Sequence, residues 1–275
     1  MITYKQKPDS RLAGVIDHFY AVQIPIHSEP IIQHLSPNLE LMLVFNFGDP
    51  IRYSFGNKAL IEHSFSQVTL IGPLRQMLNY ELKPGDDLLV IGFTLDGFFR
   101  FLSLEKITIE SLTESESVLA FPSLNALYLS LADIPDFDPR VAYLTSHILR
   151  ELSPSEDAAS TLLEHASLFH QDVLNPVKVM ADQHSLSERT VQLRFKKYVG
   201  YSPKELLRFL RFKKVIQQVI NQPDTPWFDL IEAFGYHDQS HFIKDFKQYT
   251  GLSPKEFRKL QENGNFCISF PDRLY

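Results

Sequence analysis

The chain has very little of several things. It holds one cysteine, Cys267, among 275 residues. That excludes a disulfide framework and fits a reducing compartment. No apolar run approaches the roughly 18 residues that a membrane-spanning helix needs, and the first residues, Met1 to Pro8, lack the apolar core of a secretory leader. The expected location is therefore the cytoplasm. No His-x-His pair occurs to seed a strand-borne metal site, and no Gly-x-Ser-x-Gly elbow organises the serines for nucleophilic attack. His34 with Glu40 is the nearest approach to a metal site, and His237 with His241 has zinc-compatible spacing at a helix start. Satisfied or exposed histidines are the simpler reading of both. Neither enzyme nor cofactor is expected.

Positive charge is also scarce overall, 27 Lys+Arg against 33 Asp+Glu for a net of −6, but it is unevenly placed. Residues 175–262 carry 15 basic and 10 acidic side chains, a net of +5, while residues 1–174 carry 11 and 22, a net of −11. Attraction to phosphate acts within a Debye length of about 8–10 Å, so the local balance matters more than the sum. This asymmetry points to two halves with different partners.

One segment is present twice. Phe195 to Glu205 returns as Phe246 to Glu256 at a constant offset of 51 residues, with Phe, Lys, Tyr, Gly, Ser, Pro, Lys and Glu in register. Each copy reads as a helix end at Gly200 or Gly251 followed by a capping box: Ser202 or Ser253 as cap, Pro203 or Pro254 first in the helix, Glu205 or Glu256 at its third position. Val191, Phe195 and Tyr198, and likewise Phe242, Phe246 and Tyr249, form an apolar stripe at i, i+4 and i+7. A short helix precedes each stripe. Val177, Met180 and Ala181 end near His184-Ser185 before the Ser187 cap; Phe228, Leu230, Ile231 and Ala233 end at Gly235 before the Asp238 cap. Short helix, tight turn and longer helix with a polar outer face make a helix-turn-helix unit. Leu206, Leu207, Leu210, Val215 and Val219 predict one long helix from Pro203 to about Ile220, joining the two units.

At these residues the resemblance is to a known family. Residues 157–260 resemble the DNA-binding domain of AraC/XylS-type transcriptional regulators, through Gly235-Tyr236-His237-Asp238-Gln239-Ser240-His241-Phe242, Phe246, Thr250-Gly251 and Ser253-Pro254. Arg208 and Arg211 resemble the start of the family's connecting helix. Leu193, beside Arg194, departs from the arginine that the family usually carries there. The resemblance implies a sequence-specific DNA-binding regulator whose partners are duplex DNA, RNA polymerase, a small-molecule effector and a second copy of the chain. Arg189, Gln192, Gln239, Ser240 and Lys244 are the expected base readers, since Gln pairs with adenine and Arg or Lys with guanine. Thr190, Lys196, His241 and Lys247 are the expected phosphate contacts. Lys196-Lys197 and Lys213-Lys214 stand open between solvated faces and phosphate contact. The alternative is a ligand-sensing or protein-interaction scaffold with a weak or vestigial DNA-binding domain.

The other half reads as β. Apolar runs at 39–47, 68–71 and 88–95 are separated by turn signals at Gly48-Asp49-Pro50, Gly72-Pro73 and Pro84-Gly85-Asp86-Asp87. After Asp96-Gly97 the pattern turns helical, with Phe98, Phe99 and Phe101, then Val141, Leu144, Ile148 and Leu149 on one face of a helix within 134–152, whose part from Val141 to Leu152 is a candidate for self-association or for coupling to the other half. This half resembles, more weakly, the cupin-like sensor domains of the same regulators, through Leu35 to Glu40 and Phe45 to Gly48. The expected architecture is α+β. Residues 1–152 form a β-sandwich or barrel (cupin-like) with flanking helices, 153–262 an all-α domain of two helix-turn-helix units, and 263–275 a tail. Ser153 to Glu156 reads as linker and cap for a helix at 157–169.

Overall fold

The computed structural model describes residues 1–60, 63–94, 97–102, 118–154, 175–199, 201–262 and 266–267. The first half is an antiparallel sheet: β1 (Ile2–Gln6), β2 (Ile16–Gln23), β3 (Ile31–Leu35), β4 (Met42–Phe55), β5 (His63–Ile71), β6 (Leu78–Leu82), β7 (Asp87–Phe93) and β8 (Val118–Ala120). The strand order is β1-β2-β7-β4-β6-β3, with β5 pairing both β4 and β8. α1 (Gly97–Leu102), α2 (Asn125–Ala132) and α3 (Phe137–Glu151) complete this half.

Both faces of the central strands are covered, which is why the start of β4, the end of β5 and β7 read as nearly unbroken apolar runs, while β1 at the edge is exposed throughout. Side chains alternate between faces along a strand. Phe19, Ala21, Leu43, Phe45, Leu89 and Ile91 face one cluster with the helices, whereas Val22, Met42, Val44 and Leu88 face the other, inside the sheet. Val141, Leu144 and Ile148 of α3 belong to the first cluster and are 2%, 0% and 0% exposed. The stripe offered for self-association is thus spent on packing the domain's own sheet.

A second difference from the sequence reading lies at Gly48-Asp49-Pro50. No chain reversal occurs there; β4 runs on for 14 residues, and its register against β5 shifts between Asn46 and Ile51. The Asn46 amide donates to the Asp49 carbonyl at 2.8 Å and its oxygen accepts from the Gly48 N–H at 3.0 Å. A side chain that satisfies the displaced backbone turns the signal into a bulge. Past the bulge, β4 pairs with β6 instead of β7.

The second half is helical: α4 (Pro176–Gln183), α5 (Glu188–Val199), α6 (Pro203–Asn221), α7 (Trp227–Ala233), α8 (Gln239–Thr250) and α9 (Pro254–Glu262). The helix expected at 157–169 and Gly200 lie outside the described residues. One cluster unites both units, with Val191, Phe195, Phe209, Phe212, Phe242, Phe246 and Phe257 all nearly inaccessible. Phe212 stacks on Tyr249 at 4.5 Å and meets Phe246 edge-on at 5.3 Å. Each such ring contributes roughly 1.5–3 kcal/mol by leaving water. Finally β9 (Phe266–Cys267), from the segment read as a tail, pairs parallel with β3 and returns the chain to the first sheet.

Candidate nucleic-acid interface

The two helices expected to read DNA are α5 and α8, and both are started by the caps expected of them. Ser187 Oγ accepts from the Thr190 N–H at 3.0 Å, and Asp238 accepts from the His241 N–H at 2.8 Å. Both capping boxes after the helices are closed. The Ser202 N–H donates to Glu205 at 2.8 Å and the Glu205 N–H returns to Ser202 Oγ at 3.3 Å; the Ser253–Glu256 pair repeats this at 2.7 and 3.4 Å. Satisfying these orphan donors at each helix start fixes where the helices begin. Gly251 ends α8 in the left-handed conformation at φ 74°, which glycine alone adopts without steric cost.

The apolar stripes turn inward and leave a polar face outward. On α5 that face exposes Arg189, Gln192, Leu193 and Lys197, with Thr190, Arg194 and Lys196 half-buried. On α8 it exposes Gln239, Ser240, Lys244, Lys247 and Gln248, with His241 half-buried. All five expected base readers are therefore solvent-facing on the two helices. Two of the expected phosphate contacts are less free. The Thr190 hydroxyl bonds Ser187 Oγ at 2.8 Å, and the His241 ring sits 3.5 Å from Arg211 and 4.0 Å from the Asp245 carboxylate.

The sequence reading missed Asp245. Its carboxylate is wholly buried and receives Arg208 at 2.5–2.9 Å and Arg211 at 3.4 Å, tying α6 to α8. Arg208 and Arg211 had been noticed only as a resemblance; their partner lies 34–37 residues away, beyond any local pattern. Trp227 packs against Phe242 and Phe246 at 5.9 Å, under the Arg258 guanidinium at 3.8 Å. Lys213, open in the sequence between solvated face and phosphate contact, is neither. Its side chain is 3% exposed, and among the described residues its ammonium meets no hydrogen-bond acceptor. Burial pushes its pKa down, and the Glu40 carboxylate opposes that fall.

Glu40 belongs to the other half, which docks on the helices. The Met77 N–H donates to the Tyr249 carbonyl at 2.7 Å, satisfying one of the free acceptors at the end of α8. Gly251 lies so close to Gly56 that an added Cβ would come within 2.5–2.7 Å of backbone atoms of Gly56 and Asn57. Arg75 lies over the Tyr201 ring at 4.3 Å and 3.5 Å from Glu205. Burial disfavours the Glu205 charge, but the Ser202 bonds and Arg75 together hold its carboxyl below the usual range.

The inner face of the sheet encloses a cavity of about 280 Å³ whose walls include Val22, Met42, Val44, Phe65 and Leu88, with Lys5, His18, Tyr20 and Tyr80 supplying polar groups. His18 fits because position 92 is glycine; a Cβ there would lie 2.3 Å from the ring. Burial pushes the His18 pKa down to about 4, against the pull of Glu40. His34 bonds the Asn79 side chain at 2.7 Å. Among the described residues no group of three or more His, Cys, Asp or Glu side chains is placed to hold a metal, and no helix is long and apolar enough to cross a membrane.

Residues 180–260 match the family model described as a helix-turn-helix domain. Over 82 residues the chain is 29% identical to the HTH-type transcriptional activator RhaS of Escherichia fergusonii, covering 30% of this chain and 29% of that protein. With RhaS of Escherichia coli K12/DH10B it is 30% identical over 80 residues, 29% of this chain and 28% of the relative. The match thus spans less than a third of either activator. ToxT of Vibrio cholerae O395 aligns with 88% of this chain and 96% of its own, at 12% identity and a TM-score of 0.42.

Proposed function

We propose that this chain, whose residues 180–260 belong to the helix-turn-helix domain family, is a sequence-specific DNA-binding transcription regulator. The observation that carries the reading is the pair of capped helices, α5 and α8, turning polar faces outward from one apolar core. A net of +5 over residues 175–262 supports it, because phosphate attraction is local. α6, at about 1.5 Å per residue, is a strut of roughly 28 Å, suited to presenting two helices to neighbouring turns of the major groove, about 34 Å apart. Arg189, Gln192, Gln239, Ser240 and Lys244 read base edges; Lys196 and Lys247 contact phosphates, with Thr190 and His241 doing so alongside their capping and packing roles.

The first half is the effector domain. A small ligand in the cavity would touch His18, whose neighbour Glu40 also acts on Lys213 of α6. The Met77 and Gly251 contacts, where the sheet half meets the end of α8, would pass occupancy to the helices. RhaS is a transcriptional activator, and by that likeness this chain would activate transcription, with RNA polymerase as its further partner. The reading places the protein in the cytoplasm and assigns it no catalytic step; a second copy of the chain would bind through some face other than the buried α3 stripe.

The test is binding of the full chain to duplex DNA over a salt series. Several phosphate contacts should cost on the order of a thousandfold in affinity between about 50 and 200 mM salt. Affinity that stays flat over that range sinks the proposal.

A further inference from the structure

At the offset of 51 residues the two polar faces can be laid on each other: Arg189 on Ser240, Leu193 on Lys244, Arg194 on Asp245 and Lys196 on Lys247. The register that carries an exposed lysine in the second unit carries a leucine in the first. Leu193 is 58% exposed, whereas the other exposed positions of α5 are Glu188, Arg189, Gln192 and Lys197. A lone exposed leucine needs no explanation on an ordinary surface. This one stands one helical turn after Arg189, beside Gln192 and one turn before Lys197, on the face that the regulator reading turns toward DNA.

Leucine neither donates nor accepts a hydrogen bond. In the major groove the guanine, adenine and cytosine edges are read through donors and acceptors, and the apolar feature is the C5-methyl of thymine. We propose that Leu193 is the thymine-reading side chain of the first unit, packing on that methyl while Gln192 and Arg189 bond the flanking bases. The inference rests on the DNA-binding reading above and deepens it. The two units then differ in kind: the first selects a methyl group, the second an acceptor-rich edge through Lys244.

The experiment starts from duplexes selected from random DNA by the full-length protein. Each thymine of the half-site protected by the first unit is then replaced singly by deoxyuridine, which deletes only the methyl. One replacement should weaken the wild type roughly fourfold, the equivalent of one methyl group's burial at about 0.8 kcal/mol. L193A should bind the thymine and deoxyuridine duplexes alike. L193M, still apolar, should keep the discrimination, and L193R should move the preference at that base pair toward guanine. Wild-type indifference to every deoxyuridine in the half-site, or discrimination retained by L193A, overturns the role of Leu193 and leaves the regulator reading standing. Failure to select any sequence overturns both.

Discussion

Laid side by side, the first helix-turn-helix unit (α4–α5) and the second (α7–α8) share a side-chain cap on the longer helix, an apolar stripe and a closing capping box, yet they are held differently. The second reading helix is pinned by a buried carboxylate, Asp245, shared between Arg208 and Arg211 of the connecting helix. At the same register the first has Arg194, a charge of opposite sign that cannot accept those arginines. The end of the second helix also abuts the sheet, through Met77 and Gly56. A duplicated scaffold therefore keeps what defines the unit and varies what fastens it. Both units meet the sheet half, the first through Phe99 edge-on to Tyr198 at 6.0 Å and Arg75 over Tyr201, the second through a backbone hydrogen bond from Met77 and the close approach of Gly56.

The sharpest break in that comparison is Asp245→Ala. It deletes the shared acceptor of two arginines that are each about a third exposed and can turn to water, so the loss should be about 1.5–3 kcal/mol, the range for hydrogen bonds to a charged group. Arg194→Ala, at the matching register, should cost no more than about 1 kcal/mol. Urea unfolding of the two variants checks this; a loss below about 1 kcal/mol for Asp245→Ala would remove the anchor from the account.

Docking of the second unit on the sheet is tested by a pair of glycines. Gly251 and Gly235 both have positive φ, 74° and 64°, so alanine at either should meet about 1–2 kcal/mol of backbone strain, offset by about 0.4–1 kcal/mol from the less free unfolded chain. Around Gly235 there is open space, whereas the Cβ at 251 would collide with Gly56 and Asn57. Gly251→Ala should thus lose about 1–3 kcal/mol more than Gly235→Ala, the usual cost of overpacking. Equal losses would mean that the contact between sheet and second unit does not persist in solution.

Within the second helix, DNA contacts should divide by type. Gln239→Ala should weaken the specific site by about 1–3 kcal/mol and relax one base position, while Lys247→Ala weakens all sequences alike and lowers the salt slope by about one. Identical behaviour of the two variants on specific and random duplexes would collapse the distinction between reading and anchoring.

What was legible in the sequence was what is written locally. Caps, closing boxes, the helix stripes and the strand runs all depend on neighbours within a few residues, so Ser202–Glu205, Asp238 and the β7 segment could be placed without a structure. The rest depends on residues far apart in the chain. Asp245 carries no local signal because its arginines lie more than thirty positions away. The α3 stripe looked surplus because nothing local told which face of the sheet it covers. Lys213 sits in a basic pair that reads as either solvated or phosphate-facing, and nothing local tells that its side chain is buried. Gly48-Asp49-Pro50 carries turn chemistry, but Asn46 supplies bonds that let the strand continue through it.

The smallest expected effect tests whether the two turns are equivalent. After α4 the chain turns at Ser185, φ 53°, and the Leu186 N–H reaches back to the Ala181 carbonyl at 2.9 Å. After α7 it turns at Gly235, φ 64°, and the Tyr236 N–H reaches the Ile231 carbonyl at the same 2.9 Å. The geometry is shared, but the first turn uses a residue with a Cβ where the second uses glycine. Left-handed backbone costs an L-residue about 1–2 kcal/mol, and glycine gives back about 0.4–1 kcal/mol through the greater freedom of the unfolded chain. Ser185→Gly should therefore stabilise the protein by roughly half to one kcal/mol, and Gly235→Ser should destabilise it by about as much, with the double swap near neutral. Paired urea titrations resolve differences of this size when the midpoint shifts at constant slope. A neutral or destabilising Ser185→Gly would show that the serine side chain offsets its own strain in the folded state, and that the two turns, alike in backbone, are stabilised by different means.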